Sequence, residues 1–409
     1  MDGTRRVLIL SENAPVPADR RVWNESRALT AAGWEVTIVS PRGEHRCSEP
    51  YERLEGIEIH RYALRPSGGG ALGYAREYAQ AMWRISRLVR RLGRTRSFDI
   101  VHACNPPDFL LLAALPLRRR GARFVFDHHD LVPELYRSRF GGGKGVLYRV
   151  SLACEQIAFR LADVVIATND SYRRVALERG GKRPEDVFVV RNGPDLERFR
   201  PVPPDPALRR GRPHLIAYLG IMGPQDGVDH ALRALAWLRT RRDDWHAVFI
   251  GDGEMLATMR GLAEQLGLGD AVEFAGWRGD EDIRRILSTA DVCIGPDPPS
   301  PLNDVSTMIK IPEYLAMGCA VASYDLPEAR VSAGDAALYA TAGDPESLGS
   351  CVETLLADPL RRARMAEAGR ERVQRQLAWQ HSTGALLAAY GRAVDGEAAS
   401  AAQPVPALA

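Results

Sequence analysis

The sequence predicts an α/β protein made of two Rossmann-like, doubly wound parallel-sheet domains facing a common cleft. Short β-rich runs alternate with segments of helical period from end to end, the pattern of a parallel sheet wrapped by helices. A stretch without periodicity, "PDLERFRPVPPDPALRRGRP" (194–213, six prolines), separates two such series. With 409 residues, 45% of them hydrophobic, the chain can fill two cores of ordinary size.

In the first series the expected strands are "VLIL" (7–10), "VTIVS" (36–40), "DIVHA" (99–103), "RFVFDHH" (123–129), "VVIAT" (164–168) and "VFVVRNG" (187–193). A helix over 20–33 is expected to close on Gly33, a residue suited to the left-handed C-terminal position. The second series comprises "HLIAYLG" (214–220), "HAVFIGDG" (246–253), "VEFAGW" (272–277), "VCIGP" (292–296) and "AVASYD" (320–325). The expected division is a domain over 1–200, a linker over 201–212, a second domain over 213–380, a helix over 381–394 crossing back to the first domain, and a disordered low-complexity tail over 395–409. Parallel sheets bind ligands outside the carboxyl ends of their strands, so the loops after these strands are where a site is sought.

The formal net charge of +2, from 54 basic and 52 acidic residues, argues against a general nucleic-acid binder. Six cysteines without a Cys-x-x-Cys pair point to reduced, buried thiols in a cytoplasmic protein. "FLLLAALPL" (109–117) is too short to span a bilayer. "MWRISRLVRRLGRTRS" (82–97) has six arginines and no acid beside an apolar stripe. It reads either as an amphipathic helix with a solvated basic face or as a peripheral contact at the inner membrane face. His102, His128 and His129 lack helical or hairpin ligand spacing, so no metal is expected.

"NDVSTMIKIPEYLAMG" (303–318) carries the densest chemistry. Pro312 belongs in a first helical turn, so a helix is expected to begin near Ile309 or Lys310 with Asn303 to Met308 in the preceding loop. Backbone N–H groups there, the Ser306 and Thr307 hydroxyls and the Lys310 ammonium would suit a diphosphate. Glu313 could accept both hydroxyls of a ribose. The plainer reading is that Ser306 or Thr307 caps the helix and Glu313 answers its dipole. "GDGE" (251–254) is too short for a dinucleotide fingerprint, and Asp280 to Asp282 are expected to cap a helix rather than bind metal.

Taken in order, "SENAPVPADRRVWNESRALTAAGWEVTIVS", "FDIVHACNPPD", "FDHHDLVPEL", "ADVVIATNDS", "VVRNGPDLERFRP", "YLGIMGPQDGVDHALRAL", "FIGDGE", "EFAGW", "STADVCIGPDP" and the 303–318 stretch resemble the retaining glycosyltransferases of family 4, over residues 5 to 390. The resemblance implies the GT-B architecture and transfer of a sugar from a nucleotide-sugar, carrying UDP or GDP, to a sugar, lipid-linked or small-molecule acceptor. It implies no cofactor and no metal, with the donor on the second domain, the acceptor on the first, and closure of one on the other.

Glu313 then matches the second glutamate of the family's paired-glutamate motif. The first falls at Val305, with Asp304 one position away as its substitute. In "GIMGPQDG" the arginine and lysine that usually meet the phosphates are replaced by Ile221 and Asp226. Lys310, the N–H groups of Ser306, Thr307 and Met308, and the turn from Gly220 through Gly223 to Gln225 are the candidate replacements. Asn192 and Gly251 complete the donor set, with Gly276, Trp277 and Arg278 beside the base. His129 matches the histidine facing the transferred sugar, where it could hold a hydroxyl or stabilise developing positive charge with its ring or carbonyl. Asp130 with Arg20 or Arg21 is assigned to the acceptor side or an anion. A non-catalytic nucleotide-sugar binder, and an epimerase or hydrolase on the same fold, are the alternatives.

Overall fold

The structure, a computed structural model, describes residues 4–43, 47–64, 70–139 and 145–396. It divides into two compact units, one running to Asn192 and resuming at Ser382, the other spanning Gly193–His381. The expected tail from 397 onward lies outside the described residues.

Unit 1 is built on an eight-stranded sheet in the order β3-β4-β2-β1-β5-β6-β7-β8. Its strands are β1 Arg6–Leu10, β2 Glu35–Pro41, β3 Tyr51–Leu54, β4 Ile57–Tyr62, β5 Ile100–Cys104, β6 Arg123–His128, β7 Val164–Ala167 and β8 Val187–Val189. All pairings are parallel except β3 with β4. β1, β5, β6 and β7 read as unbroken apolar runs because helices cover both faces. The sequence reading did not include the β3–β4 hairpin. Its turn places Glu55 and Gly56 at φ 49° and 83°, the paired left-handed geometry that closes a tight hairpin.

Unit 2 is a six-stranded sheet in the order β11-β10-β9-β12-β13-β14. Its strands are β9 His214–Leu219, β10 Trp245–Ile250, β11 Val272–Gly276, β12 Val292–Gly295, β13 Ala320–Tyr324 and β14 Ala337–Ala340. Every pairing is parallel, and the order reverses between β9 and β12. That switch point opens a crevice at the strands' carboxyl ends. The corresponding reversal in unit 1 lies between β1 and β5.

One expectation is corrected. The Pro-rich stretch is no free linker: the boundary falls at Asn192/Gly193, and the segment packs on unit 2. Phe199 is buried, Val202 N–H donates to Ser288 Oγ (3.0 Å), and Arg209 pairs with Asp291 (2.5 Å). Helix Gly70–Thr95, which carries the basic stretch, buries Ile85, Val89 and Leu92 in unit 1, the packing of an amphipathic helix, and leaves Trp83 exposed. Among the described residues no helix is long and apolar enough to cross a bilayer.

The helix that follows the second series, Gln380–Asp395, packs on unit 1 from Ser382 onward. Tyr390 is buried with its ring edge-on to Trp34 at 5.1 Å, and Arg392 pairs with Asp186 at 3.0 Å.

Candidate active site

In unit 1 the loops after β1, β5 and β6 converge on a buried charge network. Helix Arg20–Ala31 opens on Asp19, whose carboxylate accepts from Val22 N–H, and this cap sets the helix's first turn under the sheet's carboxyl edge. Arg21, expected to meet an acceptor or an anion, instead turns inward and is 6% exposed. Its Nε and Nη2 each donate to Asp127 at 2.7 Å, and Nη1 donates to Val190 O and Asn192 Oδ1 at 3.0 Å. A buried guanidinium needs such partners, whereas Arg20 on the same turn is exposed. Asn192, expected beside the donor, is likewise occupied within unit 1.

His129 Nδ1 lies 3.0 Å from Asp127 Oδ2. Burial alone would push the imidazole down, but Asp127 raises it to about 9, so the ring is cationic at neutral pH. Burial pushes Asp127 up while Arg21 and then His129 draw it well below the usual carboxylate range. A cationic ring donates hydrogen bonds rather than stabilising positive charge. Asn105 fixes the loop, its Oδ1 accepting from His129 N–H (2.9 Å) and Asp130 N–H (3.0 Å) and its Nδ2 donating to Asp130 O (2.6 Å). His128 points the other way, into the core between Phe126 and Phe159 and 3.3 Å from Glu155.

Glu25, His102, Cys104 and Asp127 bring their ligand-type atoms within 4.8 Å of one another, all buried. Arg21 already supplies the cation there, at 2.7 Å from Asp127 and 3.2 Å from Glu25. A metal ion would have to share that carboxylate with a guanidinium and an imidazolium, so the donor set does not fit one. Burial raises Glu25 to about 7 despite Arg21.

Unit 2 gathers its loops at the β9/β12 switch point. Gly251, at φ 135°, has no room for a side chain because a Cβ would lie 1.8 Å from Gly220 O. Gly227, at φ 66°, would place a Cβ 2.1 Å from Pro296 O. Glycine at these two positions therefore lets the loops after β9, β10 and β12 touch backbone to backbone. Asn303 binds two of them, donating to Gln225 O (2.9 Å) and Pro298 O (2.8 Å).

Lys310 begins helix Lys310–Ala316, as the position of Pro312 requires, and is 5% exposed. Its Nζ donates to Asp297 Oδ1 at 2.6 Å, stands 3.9 Å from Asp226 and 5.2 Å from the centre of the Tyr218 ring. Burial lowers the ammonium, but Asp297 more than compensates and holds it above an ordinary lysine. The lysine thus reaches the turn where Asp226 stands, but two aspartates balance it. Asp297 Oδ2 and Gln225 Oε1 are buried acceptors with no partner among the described residues.

The loop before the helix differs from the plainer reading as well. Ile309 occupies the cap position without a side-chain bond, and Thr307 Oγ1 donates to Glu328 at 3.0 Å. With seven residues the helix contributes little dipole. Asp304 and Ser306 lie half-buried in the loop, and Met308 packs on the core. The Glu313 carboxylate is 15% exposed, 4.0 Å from Arg198, a cation the sequence reading passed over although it stands in the quoted "DLERFRP". Gly276 at φ 69° accepts from Gly251 N–H at 3.0 Å and turns the chain so that Trp277 is 77% exposed beside Arg278. For Asp280–Asp282, helix Asp280–Thr289 is capped by Gly279 and the acids fill its first turn, Asp280 meeting Arg198 at 2.9 Å. Asp127, Asn105 and Asp297 also escaped the sequence reading, since each acts through a contact across loops.

Comparison with known proteins identifies the family and the fold. The family described as Glycosyltransferase Family 4 matches residues 18–198, and Glycosyl transferases group 1 matches residues 213–358. An alpha-maltose-1-phosphate synthase of Mycolicibacterium smegmatis is 30% identical over 296 residues, 66% of this chain and 73% of the relative. The chain belongs to glycosyltransferase family 4. A glycogen synthase of Mycobacterium tuberculosis is 27% identical over 98% of this chain and 97% of its own length. In fold, this family 4 member resembles a sucrose-phosphate synthase from Thermosynechococcus elongatus (TM-score 0.78, 18% identity, 96% of this chain and 100% of that one). It also resembles an Anabaena protein solved in complex with UDP-glucose (TM-score 0.70, 18% identity, 93% and 98%). The fold is that of the GT-B glycosyltransferases, with two Rossmann-like units, and the protein is an enzyme, a glycosyltransferase.

Proposed function

We propose that this glycosyltransferase moves a hexosyl or N-acetylhexosaminyl group, with retention, from a nucleotide diphosphate sugar to an acceptor hydroxyl. UDP is favoured over GDP by the structurally similar protein solved with UDP-glucose. The product would be a polysaccharide, a glycolipid or a natural-product glycoside, made on the cytoplasmic side. Unit 2 takes the donor and unit 1 the acceptor.

The observation that carries this reading is the convergence of Gly220–Gly227, Asp297, Asn303 and Lys310 at the β9/β12 switch point, with Glu313 on the helix that Lys310 begins. Glu313 holds the ribose diol. Asp297 Oδ2 and Gln225 Oε1, acceptors without a protein partner, suit hydroxyl groups of the donor. Lys310 meets the diphosphate as charge passes to it, aided by N–H groups of the Gly220–Gly223 turn and of Ser306–Met308. In an oxocarbenium-like transition state the His129 imidazolium holds a hydroxyl of the transferred sugar or the acceptor, and the leaving phosphate takes the acceptor proton. No metal is needed, because the protein provides the cations.

The test is a metal-free thermal-shift panel of nucleoside diphosphates on wild type and Glu313→Ala, with product analysis in the presence of a chelator. A ligand at a hundred times its dissociation constant stabilises by about 2.7 kcal/mol. One base should shift the wild type and not the variant. No shift with any nucleotide, or an unchanged shift in Glu313→Ala, would overturn the donor site as drawn.

A further inference from the structure

Helix Val146–Leu161 shows solvent a face that folding does not use. Helical residues advance by about 100° each, so Val146, Val150, Ala153 and Ile157 fall on one line along the helix, with Leu147 at its margin. Val146 is 75% exposed, Val150 50%, Leu147 46% and Ile157 37%. The opposite face carries Glu155, Ala158 and Phe159, all buried. The helix is therefore already anchored in unit 1, and among the described residues the stripe stays a third or more exposed at each of its large side chains. Single exposed apolar side chains are ordinary, but a continuous row of them marks a surface made for contact.

The charges beside the row identify the contact. Arg149 and Arg160 lie next to it, both exposed, and neither has an ion-pair partner among the described residues. The one acid of the helix, Glu155, is buried and accepts from Arg179 at 2.7 Å. The exposed face is thus apolar and cationic, with no negative charge. A second copy packed on it by two-fold symmetry would set these arginines against one another with no carboxylate from the helix between them. An anionic headgroup layer neutralises both while its acyl boundary takes the valines and the isoleucine.

We propose that helix Val146–Leu161 rests in the plane of an anionic lipid surface. This is a different surface from the basic helix Gly70–Thr95, whose Ile85, Val89 and Leu92 are already buried, and the inference does not depend on the nucleotide reading. It places lipid-borne acceptors within reach of unit 1.

The experiment is flotation of the full chain with vesicles of phosphatidylcholine alone or mixed with phosphatidylglycerol, alongside analytical sedimentation. Wild type should float with the anionic vesicles and bind neutral ones at least about tenfold more weakly, with salt reducing the binding. Val146→Ser/Val150→Ser/Ile157→Ser and Arg149→Glu/Arg160→Glu should each lose about tenfold or more at a temperature where circular dichroism shows both variants folded, a check needed because Val150 and Ile157 are part-covered. Failure of wild type to float, or flotation of both variants like wild type, would overturn the proposal. So would a wild-type dimer that the serine variant dissociates, which would assign the stripe to a second copy. Flotation that persists when no nucleotide shifts the protein would leave this inference standing and remove only the donor reading.

Discussion

Arg21 and His129 are both basic side chains close to a predicted strand or helix end, yet burial assigns them opposite tasks. Arg21 spends its donors on Asp127, Val190 and Asn192 and serves the network from inside. His129 is bound to Asp127 through one ring nitrogen and is 13% exposed at its side chain. Replacing it with alanine should lower kcat by about a hundredfold with a smaller change in donor KM, measured by steady-state kinetics. An imidazole raised from 6.5 to about 9 keeps its charge until pH approaches about 9, while the stability that charge contributes is full below 6.5 and is lost as pH rises from there through about 9. The wild-type rate should therefore fall above about pH 9, and a profile flat to pH 10 would remove the imidazolium from the mechanism. Glu25 behaves in the opposite way to its neighbour Asp127. Raised from 4.5 to about 7, it favours the folded chain most below its unfolded value and loses that contribution as pH rises towards 7. Glu25→Gln should consequently gain in melting temperature relative to wild type between about pH 5 and pH 8, and an unchanging difference would show that the carboxyl does not titrate there.

The elements that matter most for function are loops held by backbone contact. The turns after β9, β10 and β12 approach so closely that two glycines have no substitute, and Asn303 seals the junction. Gly227→Ala should cost about 1–3 kcal/mol of stability through forced loop separation and left-handed strain, read by chemical denaturation. It should also raise donor KM more than it lowers kcat. A variant with wild-type stability and KM would mean that the loops need no such approach. Asp297→Asn tests the same junction electrically: Lys310 would lose its 2.6 Å counterion, and donor affinity should become more sensitive to pH in the alkaline range.

On the scale of the whole molecule, each unit has its own sheet and core, but unit 1 is completed by chain from beyond unit 2. Helix Gln380–Asp395 contributes buried Leu386, Ala389 and Tyr390, and the Tyr390 hydroxyl shares a hydrogen bond with His102 at 2.8 Å. Tyr390→Phe should cost about 1–3 kcal/mol by leaving a buried imidazole nitrogen unpaired. Truncation before Gln380 should unfold unit 1 first, detected as loss of protection in the sheet β1–β8 by hydrogen exchange. A truncated chain with an unaltered unit 1 would show that the helix is an accessory.

Local pattern alone was enough to determine the α/β class, eleven of the strands near their observed positions, the Gly33 ending of the first helix and the start of the helix at Lys310. Apolar periodicity and the backbone limits of glycine and proline act within a few residues, so they are readable in one dimension. The Glu55–Gly56 hairpin was readable in the same way, from an acid–glycine pair between alternating runs, and the short β14 offered too little pattern. What only the tertiary structure decided is which charged groups meet: Arg21 on Asp127, Lys310 on Asp297, Arg198 beside Glu313, and an apolar stripe exposed on one helix but buried on another. Charge pairing and desolvation depend on distance in space, and residues 106 positions apart, like Arg21 and Asp127, become neighbours only when the sheet forms.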